Sequence, residues 1–214
     1  MDRMKTLTAD EMYQYEEKVM NEKGVPSIVL MECASRAIAR QMKKTITKTD
    51  AIVIAAGGGN NGGDGIAVGR ILHNEGFQVE ILVVGNPDHY SEQNRLQQKI
   101  AKAYDAVVKT DLTEVDFTKA TVIVDALFGI GLNRPVKGEA LTVIGKINAA
   151  KQARTYAIDA PSGVSSVEGK ALGNCVTADE TITFGFYKHG MEKKELENYF
   201  GQITVDDIGF FYEE

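Results

Sequence analysis

A chain of 214 residues with 43% hydrophobic side chains is long enough to bury the core of one α/β domain without disulfides or a structural metal, and short for two full domains. Its 24 basic against 30 acidic side chains give a formal charge of −6, which excludes a protein that coats nucleic acid through a concentrated basic surface. Two cysteines, Cys33 and Cys175, and three histidines, His73, His89 and His189, are scattered without metal-ligand spacing. The opening Met1-Asp2-Arg3-Met4-Lys5 lacks the apolar core of a signal peptide, and no apolar run reaches membrane-spanning length; the expected location is the cytoplasm, with both thiols reduced and no membrane partner.

Thr8-Ala9-Asp10-Glu11 has the spacing of a capping box and predicts a helix through Asn21, closed by Gly24 and Pro26. Leu30, Met31, Ala34, Ile38 and Met42 recur near helical spacing, predicting a second amphipathic helix over 27–47. The apolar run 52–56 predicts a central parallel strand covered on both faces. It breaks into a glycine-rich stretch carrying Asn60, Asn61 and Asp64. Glycines let backbone N–H groups approach a ligand, and a helix predicted over 64–74 puts the loop at a helix N-terminus, where anions are favoured. Further strands are predicted over 78–84, 106–108, 121–126, 154–158, 180–184 and 202–205, with helices over 91–104 and 139–150.

This alternation implies a doubly wound, mostly parallel sheet, because each parallel crossover needs a helix. Neither a repeat nor a linker interrupts it, so the chain reads as one domain, 1–214, with helices in 8–47 packing on or beside a sheet region, 50–214. Ligands in such sheets sit at the carboxyl ends of the strands. Three strands deliver polar residues to that edge: Asn60, Asn61 and Asp64 after the first, Asp125 on another, and Asp159 with Ser162 after a third. Gly57-x-Gly59-x-x-Gly62 fits the dinucleotide fingerprint and raises a dehydrogenase, but Glu80 lies inside the second strand instead of at its end. A P-loop enzyme is disfavoured because no Gly-Lys-Ser/Thr ends the loop.

Gly59-Asn60-Asn61-Gly62-Gly63-Asp64-Gly65 resembles the signature of the NAD(P)H-hydrate epimerases, the YjeF N-terminal domain family. Similar strings follow in the same order: Leu7 to Met12 and Leu30-Met31-Glu32 before it, then Val124-Asp125-Ala126-Leu127-Phe128-Gly129-Ile130-Gly131-Leu132 with Arg134-Pro135, Ile158-Asp159-Ala160-Pro161-Ser162-Gly163, and Thr183-Phe184-Gly185 with Lys188 to Gly190. The resemblance covers nearly the whole chain. It implies a Rossmann-like three-layer α/β/α sandwich, a homodimer, and inversion at C6 of the hydrated nicotinamide ring of NADH or NADPH. It implies a separate NAD(P)H-hydrate dehydratase acting in sequence, expected on another polypeptide because this chain stops at Glu214.

By the same resemblance Asp159 is the acid/base carboxylate and Lys188 its orienting or charge-stabilising partner. Asn61, Asp125 and Ser162 map onto a potassium ion, a cofactor that takes such hard oxygen donors. Asn60, Asn61, Gly62, Gly63 and Asp64, with Gly129, Ile130, Gly131, Leu132, Asn133, Arg134 and Pro135, are expected to cradle the dinucleotide, together with Asp159. Arg134 is the expected direct phosphate partner. The chain departs from the family pattern at Cys33, usually Asn, and at His189, usually Pro. A non-catalytic dinucleotide- or RNA-binding scaffold of the same fold is the alternative, which the retained Asp159 and Lys188 and the acidic charge disfavour.

Overall fold

The computed structural model describes residues 6–166 and 168–210; the charged opening, 1–5, lies outside them. In chain order the elements are β1 (Thr6–Leu7), α1 (Ala9–Asn21), α2 (Ser27–Met42), β2 (Ala51–Ala56), α3 (Asn60–Asn74), β3 (Gln78–Val83), α4 (Glu92–Ala103), β4 (Val107–Lys109) and β5 (Val122–Ala126). There follow α5 (Gly138–Ala149), β6 (Arg154–Ile158), β7 (Val164–Ser165), β8 (Lys170–Ala171), β9 (Glu180–Phe184), β10 (Tyr187–Lys188), α6 (Glu197–Phe200) and β11 (Gln202–Asp206).

Seven strands form one sheet in the order β11-β9-β6-β5-β2-β3-β4, with every neighbouring pair parallel. The chain winds outward from β2 through β3 and β4, then returns to β5 on the other side of β2. That reversal opens a crevice between the loops that leave β2 and β5, where doubly wound sheets bind ligands. Side chains alternate across the sheet. Ile52, Ile54 and Ala56 pack with Ile38 and Met42 of α2, Leu72 of α3 and Ala101 of α4. Val53, Ala55 and Ile123 pack with Val143, Ile144 and Ile147 of α5 on the opposite face. The result is the expected three-layer sandwich, and each such buried aliphatic side chain stabilises it by about 1.5–3 kcal/mol.

Local chemistry sets the boundaries. The capping box forms: the Thr8 N–H donates to Glu11 Oε2 at 2.8 Å and the Glu11 N–H to Thr8 Oγ1 at 3.3 Å. α2 stops at Met42, short of the expected 47, as the chain turns over 43–46 and Thr45 Oγ1 donates to the Met42 carbonyl. α3 starts at Asn60, four residues earlier than expected, with Gly59 as its N-cap. Two small pairings were not legible as strands: β1 runs parallel to β10, with Leu7 opposite Lys188, and β7 pairs antiparallel with β8. Among the described residues no helix is long and apolar enough to cross a membrane.

The glycines of the β2–α3 loop serve packing as much as ligand approach. A Cβ on Gly62 would lie 1.8 Å from the Gly57 carbonyl oxygen, and one on Gly57 would lie 2.0 Å from that of Leu127. Both contacts are to backbone, which has little room to move. Asn94, fully buried in α4, clamps the same loop through Nδ2, donating to the Gly57 and Gly59 carbonyls at 2.8 and 3.2 Å. Gly62→Ala is therefore expected to cost about 3 kcal/mol, lowering Tm by roughly 6–12 °C. Gly59→Ala, whose added Cβ meets nothing within 4 Å, should leave Tm nearly unchanged; equal effects from the two substitutions in a thermal melt would contradict this packing.

Candidate active site

Above the carboxyl ends of β2, β5, β6 and β9 lies a cavity of about 530 Å³. Its walls include Asn60, Asn61 and Asp64 at the start of α3, the loop from Leu127 through Arg134, Asp159, Phe184 and Lys188. The first turn of α3 offers backbone N–H groups without intrahelical partners, the kind of end that receives phosphate.

Asp159 follows β6, and its N–H still donates to the Ile182 carbonyl of β9 at 2.8 Å. Its φ of 66° is left-handed, a conformation that aspartate tolerates better than most residues. This bend leaves the carboxylate with partners from three elements. Oδ2 accepts from the Ile130 N–H at 3.1 Å, and Oδ1 accepts from Thr183 Oγ1 at 3.0 Å and pairs with Lys188 Nζ at 3.0 Å. Lys188 is buried, at 2% exposure, and its Nζ also donates to Thr183 Oγ1 and, at 3.0 Å, to the Phe184 carbonyl. All three contacts of this deeply buried side chain are oxygen acceptors, which replace the hydration it loses on burial. His189 follows Lys188 in the chain, and the next residue, Gly190, ties the loop to the segment after β7 by donating its N–H to the Ser166 carbonyl at 2.8 Å.

The residues mapped to a cation lie below this pair. Asp125 is fully buried in β5 and accepts from the Ser162 N–H at 2.7 Å, Ser162 Oγ at 2.6 Å and the Leu127 N–H at 3.2 Å. Burial pushes its carboxyl up to about 6, against the lowering pull of those three donors. Ser162 Oγ in turn accepts from the Phe128 N–H at 3.0 Å. Asn61 Nδ2 is buried with no hydrogen-bond partner among the described residues. A half-turn about χ2 would put the amide oxygen there instead, so a carboxylate, a hydroxyl and an orphaned amide present a donor set of the right type for a hard monovalent cation. Gly129 lies close beside them: a Cβ there would lie 3.0 Å from Asp159 Oδ2 and 3.2 Å from the Asn61 side chain.

Not every expected residue lines the cavity. Gly62 and Gly63 are buried within α3, where a Cβ on Gly63 would meet Met31 at 2.7 Å, and Pro135 is exposed outside the lining. Conversely, Met12, Tyr13 and Glu16 of α1 line it. Met12 packs with Ile130 and Phe186, and a Cβ on Gly131 would approach the Tyr13 hydroxyl to 2.9 Å, so α1 forms one wall of the cavity. Burial and then Asp159 push the Glu16 carboxyl up to about 7, opposed by Lys188. Asp64 is likewise held well above the usual carboxylate range by burial, Asp159 and Glu16. The sequence signal for Glu16 was its place between Met12 and Val19 on the buried stripe of α1, where a carboxylate is out of place.

The fold and this cleft define a doubly wound α/β protein with a charged polar site at its switch point. The chain belongs to the family described as YjeF-related protein N-terminus, whose model matches residues 27–190. It is 42% identical over 207 residues to the NAD(P)H-hydrate epimerase of Lentilactobacillus buchneri, covering 96% of this chain and 94% of that one. It is 41% identical over 206 residues to the NAD(P)H-hydrate epimerase of Weissella koreensis, with 96% and 91% covered. The crystal structure of yeast ynu0, YNL200c, superimposes with a TM-score of 0.81 over 99% of this chain and 90% of that chain; at 17% identity it shows the shared fold.

The Asp159–Lys188 pair generates a prediction about stability. Lys188→Met removes one member of a buried ion pair and is expected to cost about 3–5 kcal/mol, read as a lower midpoint in urea. A loss below about 1 kcal/mol, the level of an exposed pair, would mean that Lys188 does not hold Asp159 in place.

Proposed function

We infer that this chain catalyses epimerisation at C6 of hydrated NADH or NADPH, interconverting the R and S hydrates. The observation that carries the reading is the Asp159–Lys188 pair, set in a cavity at the switch point of a chain about 42% identical, over nearly its full length, to proteins of that name. The hydrated ring carries its hydroxyl on a carbon bonded to the ring nitrogen. Inversion there requires loss and return of that oxygen, or ring opening and closure, with proton transfers in either route.

Asp159 is assigned the proton-accepting role. Its carboxylate is aimed by Ile130, Thr183 and Lys188, so it is positioned before substrate arrives, which is what general base catalysis needs. Lys188 pairs with that carboxylate at 3.0 Å and orients it. Arg134, exposed at the cavity mouth, and the N-terminus of α3 are assigned to the pyrophosphate. Asn61, Asp125 and Ser162 are assigned a potassium ion, which when bound would offset pyrophosphate charge and tie three loops together. The proposal extends to a homodimer, to a dehydratase on a separate polypeptide that consumes the S hydrate, and to a reducing, cytoplasmic setting in keeping with the unpaired thiols of Cys33 and Cys175.

The decisive assay mixes purified protein with chirally enriched R hydrate and follows both epimers by NMR. Acceleration over the spontaneous rate is expected, and Asp159→Asn should lower kcat by about 10²–10⁴-fold with the fold intact; a wild-type rate equal to the spontaneous one would refute the assignment. The cation proposal has its own readout. Raising potassium against tetramethylammonium at constant ionic strength should raise Tm, by roughly 3–6 °C at tenfold saturation, and Asn61→Ala should abolish most of that rise. An equal Tm in the two salts would count against the cation.

A further inference from the structure

α1 brings to the cavity a carboxylate with no role in the account so far. Met12, Glu16 and Val19 lie on one stripe of α1, and Met12 and Val19 are 2% and 4% exposed. Glu16 therefore sits on the face that packs toward Ile130 and Phe186, and it lines the same cavity as Asp159 and Lys188. Asp159 is held by three donors; among the described residues neither a hydrogen bond nor a salt bridge reaches the Glu16 carboxyl. A part-buried carboxylate with no partner is costly, and protonation removes that cost.

We propose that Glu16 is a second catalytic carboxyl for the epimerisation assigned above, a general acid that delivers its proton to the C6 oxygen while Asp159 serves as the base. The inference rests on that functional reading. In the forward step the Glu16 O–H bond breaks and its proton joins the C6 hydroxyl oxygen. The C6–O bond then breaks, its electron pair leaving with water, and the ring nitrogen's lone pair forms a nitrogen–C6 double bond. The resulting cation faces the carboxylates of Asp159 and of Glu16, which has just lost its proton, an environment that favours positive charge. Water adds to C6 from the other face as its surplus proton passes to Asp159, and the double-bond pair returns to nitrogen; Asp159 then releases that proton to solvent and Glu16 takes one up, which restores both groups. Atoms and electrons balance without an oxidant or reductant.

The charged and titratable groups around Glu16 support a carboxyl that gains and loses a proton near neutrality. Burial and then Asp159 after β6 oppose its ionisation and Lys188 on β10 favours it; burial, Asp159 and Glu16 in turn raise the Asp64 carboxyl on α3, Tyr13 neighbours Glu16 on α1, and Arg134 lines the same cavity. Because the folded-state pKa is raised to about 7, the folded protein binds the extra proton more tightly than the unfolded chain. The stability from that proton is present at low pH and lost as pH rises toward and through about 7.

The test compares wild type, Glu16→Gln and Glu16→Asp with R hydrate across about pH 5.5–8.5, together with thermal melts over the same range. Wild-type kcat is expected to fall as pH rises through about 7, since the protonated carboxyl is the active form. Glu16→Gln should lose about 10²–10³-fold in kcat with KM within about threefold of wild type, and should lose that alkaline limb; Glu16→Asp should restore part of both. In the melts the Gln variant should gain on wild type as pH rises. A Gln variant with near wild-type kcat, one that is slow yet keeps the limb, or a Tm difference that does not change with pH would each overturn the proposal. A wild-type protein that fails to accelerate epimerisation at all would instead overturn the functional reading beneath it.

Discussion

The left-handed bend at Asp159 is the constraint from which the site follows. β6 delivers the chain to the sheet edge with its ladder intact, and the bend then sets the carboxylate among partners from three other elements instead of continuing the strand. One oxygen is fixed by the Ile130 backbone and the other by Thr183 and Lys188. The bend costs of order 1–2 kcal/mol, which those contacts offset. Its consequence reaches the neighbouring loop, where a Cβ at residue 129 would crowd both the carboxylate and the Asn61 side chain.

Lys188 links this centre to the N-terminal end of the chain. It lies on β10, whose only partner strand among the described residues is β1, with Leu7 opposite Lys188. β1 leads within two residues to α1. The same short pairing that seats the buried cation thus docks the helix whose Met12, Tyr13 and Glu16 wall the cavity. The capping box at Thr8 and Glu11 sets where that helix begins. The cavity wall and the charge beneath it are thereby mechanically connected, so N-terminal residues remote from the glycine loop contribute to the electrostatics of the site.

Much of the sheet was legible because its strands are apolar runs punctuated by glycine and polar residues; 154–158 and 180–184 were read with the boundaries that β6 and β9 have. The convergence of Asn61, Asp125, Asp159 and Ser162 was legible as three strands ending in polar residues. The start of α3 was not, because glycine's poor helix propensity concealed that Asn60 to Gly63 already form its first turn. Those glycines read as a phosphate cradle, whereas Gly62 and Gly63 meet Gly57, Met31 and Asn94. Asn94 and Glu16 escaped for a common reason. Each is a polar residue on a helix whose importance depends on which loop the helix is packed against, and that depends on tertiary contacts far apart in sequence.

The central claim is that the hydrated ring sits between two carboxylates, Asp159 and Glu16, with its phosphates at the start of α3. A crystal structure of the Asp159→Asn protein soaked with hydrated NADH tests this most directly. The account predicts the C6 oxygen within hydrogen-bond distance, about 2.6–3.2 Å, of the residue 159 side chain and of Glu16, with the pyrophosphate over Asn60 and Asn61 and beside Arg134. A ring bound away from both side chains, or a reversed dinucleotide with its adenine in the cavity, would contradict it.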